Sequence, residues 1–312
     1  MRGALVAALS ALERMLARGQ APEERHERAR GQAPSRDTQE QSQRLLELVT
    51  LRKGTGPESQ LRALAGEGLS HARASRTAVI AYSHRRRCIV GSFEYTLNKY
   101  KGKEELAVVP EDVTKIGYRA FANNLKLTEV RMSDGVDQIG ENAFTSCVKL
   151  EKVELPPSVS KIGAGAFSGC RVLQPPTIPP KVRVLTKRLF TRCLAFKSFW
   201  IPDGVSEIGE SCFRNCTELE EIHLPDSLRN IGPFAFAGCE SLTEVEIPQG
   251  ARTIGKGAFQ DCKNLVVVSL PDTITSIDSK AFAGCAKLRA PRFPQNLQSL
   301  AQDAFEGCGT EE

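Results

Sequence analysis

Eight cysteines, Cys147, Cys170, Cys193, Cys216, Cys239, Cys262, Cys285 and Cys308, follow one another at a constant interval of 23 residues. A phenylalanine keeps the same interval three residues upstream of each, from Phe144 to Phe305, with Phe121 one step earlier. A strict period of this length means one small supersecondary unit stacked many times, so the chain builds a solenoid and not a globule. Such proteins act by presenting a long ordered surface. The positions that vary from copy to copy therefore carry the functional information.

In register, one copy reads Leu-x-x-Ile/Val-x-Leu/Ile-Pro, then x-x-Val-x-x-Ile-Gly-x-x-Ala-Phe-x-x-Cys. The copy from Leu150 through Val153, Leu155, Pro156, Val159, Ile162, Gly163, Ala166 and Phe167 to Cys170 is close to ideal. The alternating apolar residues before the proline predict a short strand, which the proline ends because it has no N–H to donate. Ile-Gly predicts a tight bend where a side chain is costly. Ala-Phe-x-x-Cys predicts a short helical or 3₁₀ turn with its phenylalanine inward. Stacked at roughly 4.8 Å, nine rungs give a body on the order of 40 Å long. Strands on one side and helical turns on the other predict a curved α/β horseshoe with parallel strands on the concave face.

This pattern resembles the BspA-like leucine-rich repeat, a 23-residue class of bacterial and protozoan surface proteins. The resemblance covers residues 91–312, with residues 91–110 similar to the strand-turn-strand that caps such arrays. It implies a role in adhesion or surface contact. No comparable cap follows Cys308, which predicts either a truncated relative of longer family members or self-association through the last rung.

The net charge of +5 is unevenly spread. Residues 1–105 hold 19 Lys/Arg against 12 Asp/Glu, and residues 106–312 hold 23 against 25. The leader, residues 1–90, is therefore the basic part. It reads as short helices around a polar segment with too little apolar content to pack. Arg85-Arg86-Arg87 lacks interleaved aromatics, so a solvated basic face explains it better than nucleic-acid binding. Residues 2–12 resemble the core of a signal peptide, but Glu13, Arg14 and Arg18 follow at once without a small-x-small cleavage site. A cytoplasmic chain is favoured over a secreted or surface one, and no run reaches the length of a transmembrane span.

The cysteine period argues against a disulfide framework, because equivalent side chains in adjacent rungs run parallel. The expected arrangement is a ladder of buried free thiols packed as small hydrophobes. Metal binding lacks four converging ligands. The near phosphate-binding loop Gly250 to Gly257 has glycine where the hydroxyl belongs. Without a nucleophile-base pair or paired carboxylates in an apolar setting, no enzymatic activity and no cofactor is expected.

Outward strand positions define the candidate site. One column runs Arg131, Glu154, Thr177, Trp200, His223, Glu246, Ser269, Arg292, and its neighbour includes Glu221 and Glu244. Trp200 is the single tryptophan, and the slots beside it are filled by Phe199 and Ile201. With His223, Glu221, Glu244 and Glu246 it forms an aromatic anchor beside an acidic ribbon, suited to a basic segment of a protein partner. Pro175 and Pro176 predict weakened strand pairing one rung earlier. The function expected is a non-catalytic protein–protein interaction module, adhesin-like or surface-antigen-like. The alternatives are an intracellular scaffold using the same face, and an enzyme housed in the leader.

Overall fold

The computed structural model describes residues 87–89 and 92–309. All described residues belong to one unit, Ala74–Glu312. The expectations for the leader upstream of Arg87, its helices, polar segment and signal-like core, lie outside the described residues.

Most rungs contribute two strands, not one. The first column consists of three-residue strands: Leu106–Val108, Glu129–Arg131, Lys152–Glu154, Ser198–Trp200, Glu221–His223, Glu244–Glu246 and Val267–Ser269. In each, the middle residue is buried and the last is exposed, so the period-two expectation holds here. The second column holds two-residue strands such as Lys161–Ile162, Glu207–Ile208, Asn230–Ile231 and Thr253–Ile254, at the segment expected to be a bend. Both columns pair parallel in a register of one repeat: Trp200 lies opposite His223, and Ile208 opposite Ile231. The segment similar to a cap already enters both columns. Thr96–Leu97 pairs with Lys115–Ile116, and Leu106–Val108 with Glu129–Arg131. Ahead of it, Arg87–Ile89 and Ser92–Glu94 form an antiparallel pair.

The Ile-Gly glycines are explained by close approach. A Cβ on Gly163 would lie 2.4 Å from the Glu141 backbone nitrogen, and one on Gly232 would lie 2.7 Å from the Ile208 carbonyl. At these positions the N–H bonds the preceding rung, Gly163 N to Ile139 O at 2.7 Å.

The third side of the rung corrects the expected helical face: among the described residues there is no helix. Ala-Phe-x-x-Cys instead forms consecutive β-turns. Ala143 N bonds Gly140 O, Thr145 N bonds Asn142 O and Cys147 N bonds Phe144 O, at 3.3, 3.1 and 3.1 Å. The N–H groups between them reach the next rung: Asn142 to Ala164 O, Phe144 to Ala166 O and Ser146 to Ser168 O, at 2.9, 2.8 and 2.7 Å. A left-handed residue every fourth position, Asn142 at φ 53° and Ser146 at φ 58°, turns the chain before an i to i+4 bond forms. The physical reason is width. A helix about 10–12 Å across would spread the rungs on this side well beyond the roughly 4.8 Å strand interval, whereas these turns keep backbone hydrogen bonds between rungs on this side too.

The core between these three sides is a pile of identical residues. The phenylalanine rings stack face to face, Phe213 on Phe236 at 5.2 Å and 3°, Phe236 on Phe259 at 5.2 Å and 8°. Tyr100 begins the pile by stacking on Phe121 at 4.9 Å. Beside it runs the thiol ladder. The seven ladder cysteines from Cys147 to Cys285 are buried and free, Cys308 is free and half-buried, and Cys212, outside the ladder, is an eighth buried thiol. Each ladder thiol donates to the phenylalanine carbonyl 26 residues earlier, Cys147 Sγ to Phe121 O at 3.1 Å and Cys239 Sγ to Phe213 O at 3.2 Å. The thiols are thus small hydrophobes with one polar duty.

The rung from Arg171 to Cys193 is irregular, as its prolines predict. Residues 172–179 form no strand, and Pro176 is buried. The second column also breaks here, its ladders running to Lys161–Ile162 and resuming at Val184–Leu185. Thr186 stands where most other rungs have glycine, and its hydroxyl donates to Ile162 O at 3.0 Å. That carbonyl is the one a glycine N–H takes elsewhere. A Cβ alone does not cause the break, because Asp278 and Ala301 occupy the same position and still bond the preceding rung at 3.0 Å.

Candidate binding surface

The first column positions the candidate site. Phe199 is buried in the core, so the side chains flanking it along Ser198–Trp200 face solvent. Trp200 is 70% exposed. Its indole stacks on the imidazole of His223 in the next rung, with ring centres 4.5 Å apart and planes inclined by 30°. The parallel register enforces this contact, and the result is a two-ring platform on the face. His223 Nε2 lies 3.8 Å from the Glu221 carboxylate of its own strand, beyond hydrogen-bond distance.

Beside the platform lies a groove of about 520 Å³, lined by Trp200, His223, Glu246, Ser269 and Arg292 of the column, and by Asp203, Asp226, Gln249 and Asp272 of the turns after the prolines. Of the residues expected at the site, the structure brings Trp200, His223 and Glu246 to this groove. Glu221 and Glu244 lie on the same strands but outside its lining. The three aspartates were missed by the sequence reading. Their signal was available: Pro-Asp recurs at Pro202-Asp203, Pro225-Asp226 and Pro271-Asp272, in phase with Trp200.

Charge pairing separates this region from the earlier rungs of the same face. Glu129 pairs with Arg131 at 2.7 Å and Lys152 with Glu154 at 2.6 Å, each within its own strand. The hydrogen bond and charge of Lys152 hold the Glu154 carboxyl below its ordinary range. Glu244, Glu246, Asp203 and Asp226 have no ion pair among the described residues. A second hollow of about 630 Å³ lies over Lys152, Glu154, Pro175, Pro176 and Thr177, in the two rungs that precede the one carrying Trp200. The strandless rung therefore lines a recess on the same face.

Among the described residues no group of three or more His, Cys, Asp or Glu is placed to hold a metal ion. No helix there is long and apolar enough to cross a membrane. The near phosphate-binding loop is ordinary repeat, since Thr253–Ile254 is a second-column strand and Gly255 packs on Gly232.

Comparison with known proteins agrees with this architecture. A leucine-rich repeat protein from Bacteroides ovatus superposes with a TM-score of 0.59 at 30% identity, over 67% of this chain and 56% of that one. The chain thus spans just over half the length of that relative. The leucine-rich repeat protein TpLRR of T. pallidum matches at 26% identity and TM-score 0.47, over 66% of this chain and 88% of that one. The pneumococcal vaccine antigen PcpA matches at 21% identity and TM-score 0.48, over 65% and 60%. Among curated proteins none matches. The BspA type leucine-rich repeat region matches in six copies over residues 99–199 and 183–311. With its 23-residue rungs, phenylalanine pile and thiol ladder now located, the chain belongs to the BspA-type leucine-rich repeat family.

Proposed function

We propose that the protein is a non-catalytic interaction module whose first-column face docks a protein partner, with Trp200 as the anchor, in the manner of an adhesin or surface antigen. The observation that carries this reading is the exposed indole on a rigid sheet, 70% accessible although its neighbours Phe199 and Ile201 are buried. Large aromatics that remain exposed on rigid surfaces are the residues that dominate interface energy. Trp200 is held by His223 before any partner arrives, so less ordering entropy is lost on binding. The unpaired carboxylates beside it give the face a sign, and complementary charge governs encounter rate and partner choice more than raw affinity.

Trp200→Ala is expected to weaken partner binding by at least about 2 kcal/mol, roughly thirtyfold. The fold should be unaffected, since the side chain supports no other part of the core. Capture from lysate and culture medium with wild type, with a Trp200→Ala, Glu246→Lys variant, and with a Lys263→Glu variant on the turn side tests this. A protein retained by wild type and Lys263→Glu but lost from the double variant supports the reading. Equal retention by all three moves the site elsewhere.

A further inference from the structure

We infer that the groove beside Trp200 takes a basic, proline-containing segment in the polyproline II conformation, with its cations three residues apart. This rests on the reading of the first-column face as a docking surface, and adds the conformation and spacing of what docks.

The platform gives the first argument. One face of the Trp200 indole is covered by His223 at 4.5 Å. The same repeat position one rung earlier is Thr177, in a stretch without a strand. Only a small side chain stands there, and the indole, 70% exposed, has no second ring over its other face among the described residues. Flat aromatic surfaces next to a groove are what proline rings and guanidinium planes stack upon.

Charge gives the second. The groove holds the carboxylates of Asp203, Asp226, Glu246 and Asp272 against the guanidinium of Arg292. Its excess is negative, which calls for cations from the occupant.

Spacing gives the third, and it selects the conformation. Asp226 and Asp272 occupy equivalent positions two rungs apart, and the rung between them has the uncharged Gln249 there. Two rungs are about 9.6 Å at the parallel-strand interval. Three residues of polyproline II advance about 9.3 Å and complete one turn, so residues i and i+3 present side chains to the same face at this distance. A β-strand does not match, because its same-face neighbours are i and i+2, about 6.7 Å apart, and i+3 points away. A cation-x-x-cation segment in polyproline II therefore places one charge on Asp226 and the next on Asp272, with a ring left over for the indole.

The test uses the full chain and three fluorescein-labelled twelve-residue peptides followed by anisotropy. One repeats Arg-Pro-Pro, one repeats Arg-Pro and so carries more charge at two-residue spacing, and one is an alanine-rich helix former with as many arginines as the first. The Arg-Pro-Pro peptide is expected to bind about tenfold tighter than the other two, a difference of about 1.4 kcal/mol. That preference should vanish in an Asp226→Asn, Asp272→Asn variant. Both residues are exposed, and asparagine keeps the oxygen that accepts Gln295 N–H at 3.0 Å in the wild type. If either competitor binds as tightly as Arg-Pro-Pro, the conformational inference is wrong while the docking face stands. If no peptide binds although a protein is still captured through Trp200, a basic occupant is wrong as well. If capture through Trp200 also fails, it is the docking face itself that falls.

Discussion

Above about pH 8.5, the intrinsic range of a free thiol, the array is expected to lose stability steeply. Burial pushes the thiols up, Cys147 to about 11 and Cys216 to about 12. Cys170, Cys193, Cys212 and Cys239 are raised well above their ordinary value by the same desolvation. Each of the ladder thiols among them also spends its proton on a phenylalanine carbonyl, as Cys216 does on Phe190 O at 3.2 Å. In the unfolded chain these groups release their protons near pH 8.5, while the folded chain keeps them. The folded state then binds more protons, so stability falls as pH rises, and it is flat below that range. The loss is about 1.4 kcal/mol per thiol for each pH unit, and in a stacked array it is shared by every rung that opens together. Guanidinium unfolding midpoints at pH 7.5, 8.5 and 9.5 measure it. A Cys216→Ala, Cys239→Ala variant should begin less stable and show a shallower pH slope. A midpoint unchanged through pH 9.5 would contradict the buried, protonated ladder.

Phe236→Ala is expected to cost about 3–5 kcal/mol, the range for emptying a fully packed aromatic site. Its ring is stacked on both faces, by Phe213 and Phe259, each at 5.2 Å. Rungs hold one another only through such neighbours, so the defect should weaken two interfaces and open the array in the middle. Phe305→Ala is the informative contrast, because Phe305 is only half-buried, stacks on Phe282 alone at 5.0 Å, and has only the half-exposed Phe293 edge-on at 5.6 Å besides. About half the cost is expected there. Native-state hydrogen exchange resolves the two by showing which rungs lose protection. Equal costs at both positions would mean that the pile does not stabilise rung by rung.

How much of this was readable beforehand depended on whether a feature had a period of its own. Phe144 through Phe305 and the cysteines repeat at one fixed step, so the core and the outward column of Trp200 followed directly. The second strand column was not legible, because two residues such as Lys161–Ile162 leave no alternation to detect and the glycine after them looks like a bend. The turns were misread as helical for a related reason. Ala-Phe-x-x-Cys has the i, i+3 spacing of a helix, and the left-handed residues that forbid one are obscured where Arg188, Arg192, Phe234 and Lys280 stand in place of glycine or asparagine. In the site, Trp200 stood out by its type, whereas Asp203, Asp226 and Asp272 were hidden in a turn read only as punctuation.

Trp200 is the single tryptophan of the chain, which makes it its own reporter. Acrylamide quenching of its fluorescence, with and without the partner captured by the first-column face, tests the docking claim most directly. Free protein should be quenched strongly, as a 70% exposed indole requires. The complex should be quenched several-fold less, because a partner seated on the platform excludes water from it. Quenching that stays the same while the partner is bound would place the interface away from Trp200 and contradict the account.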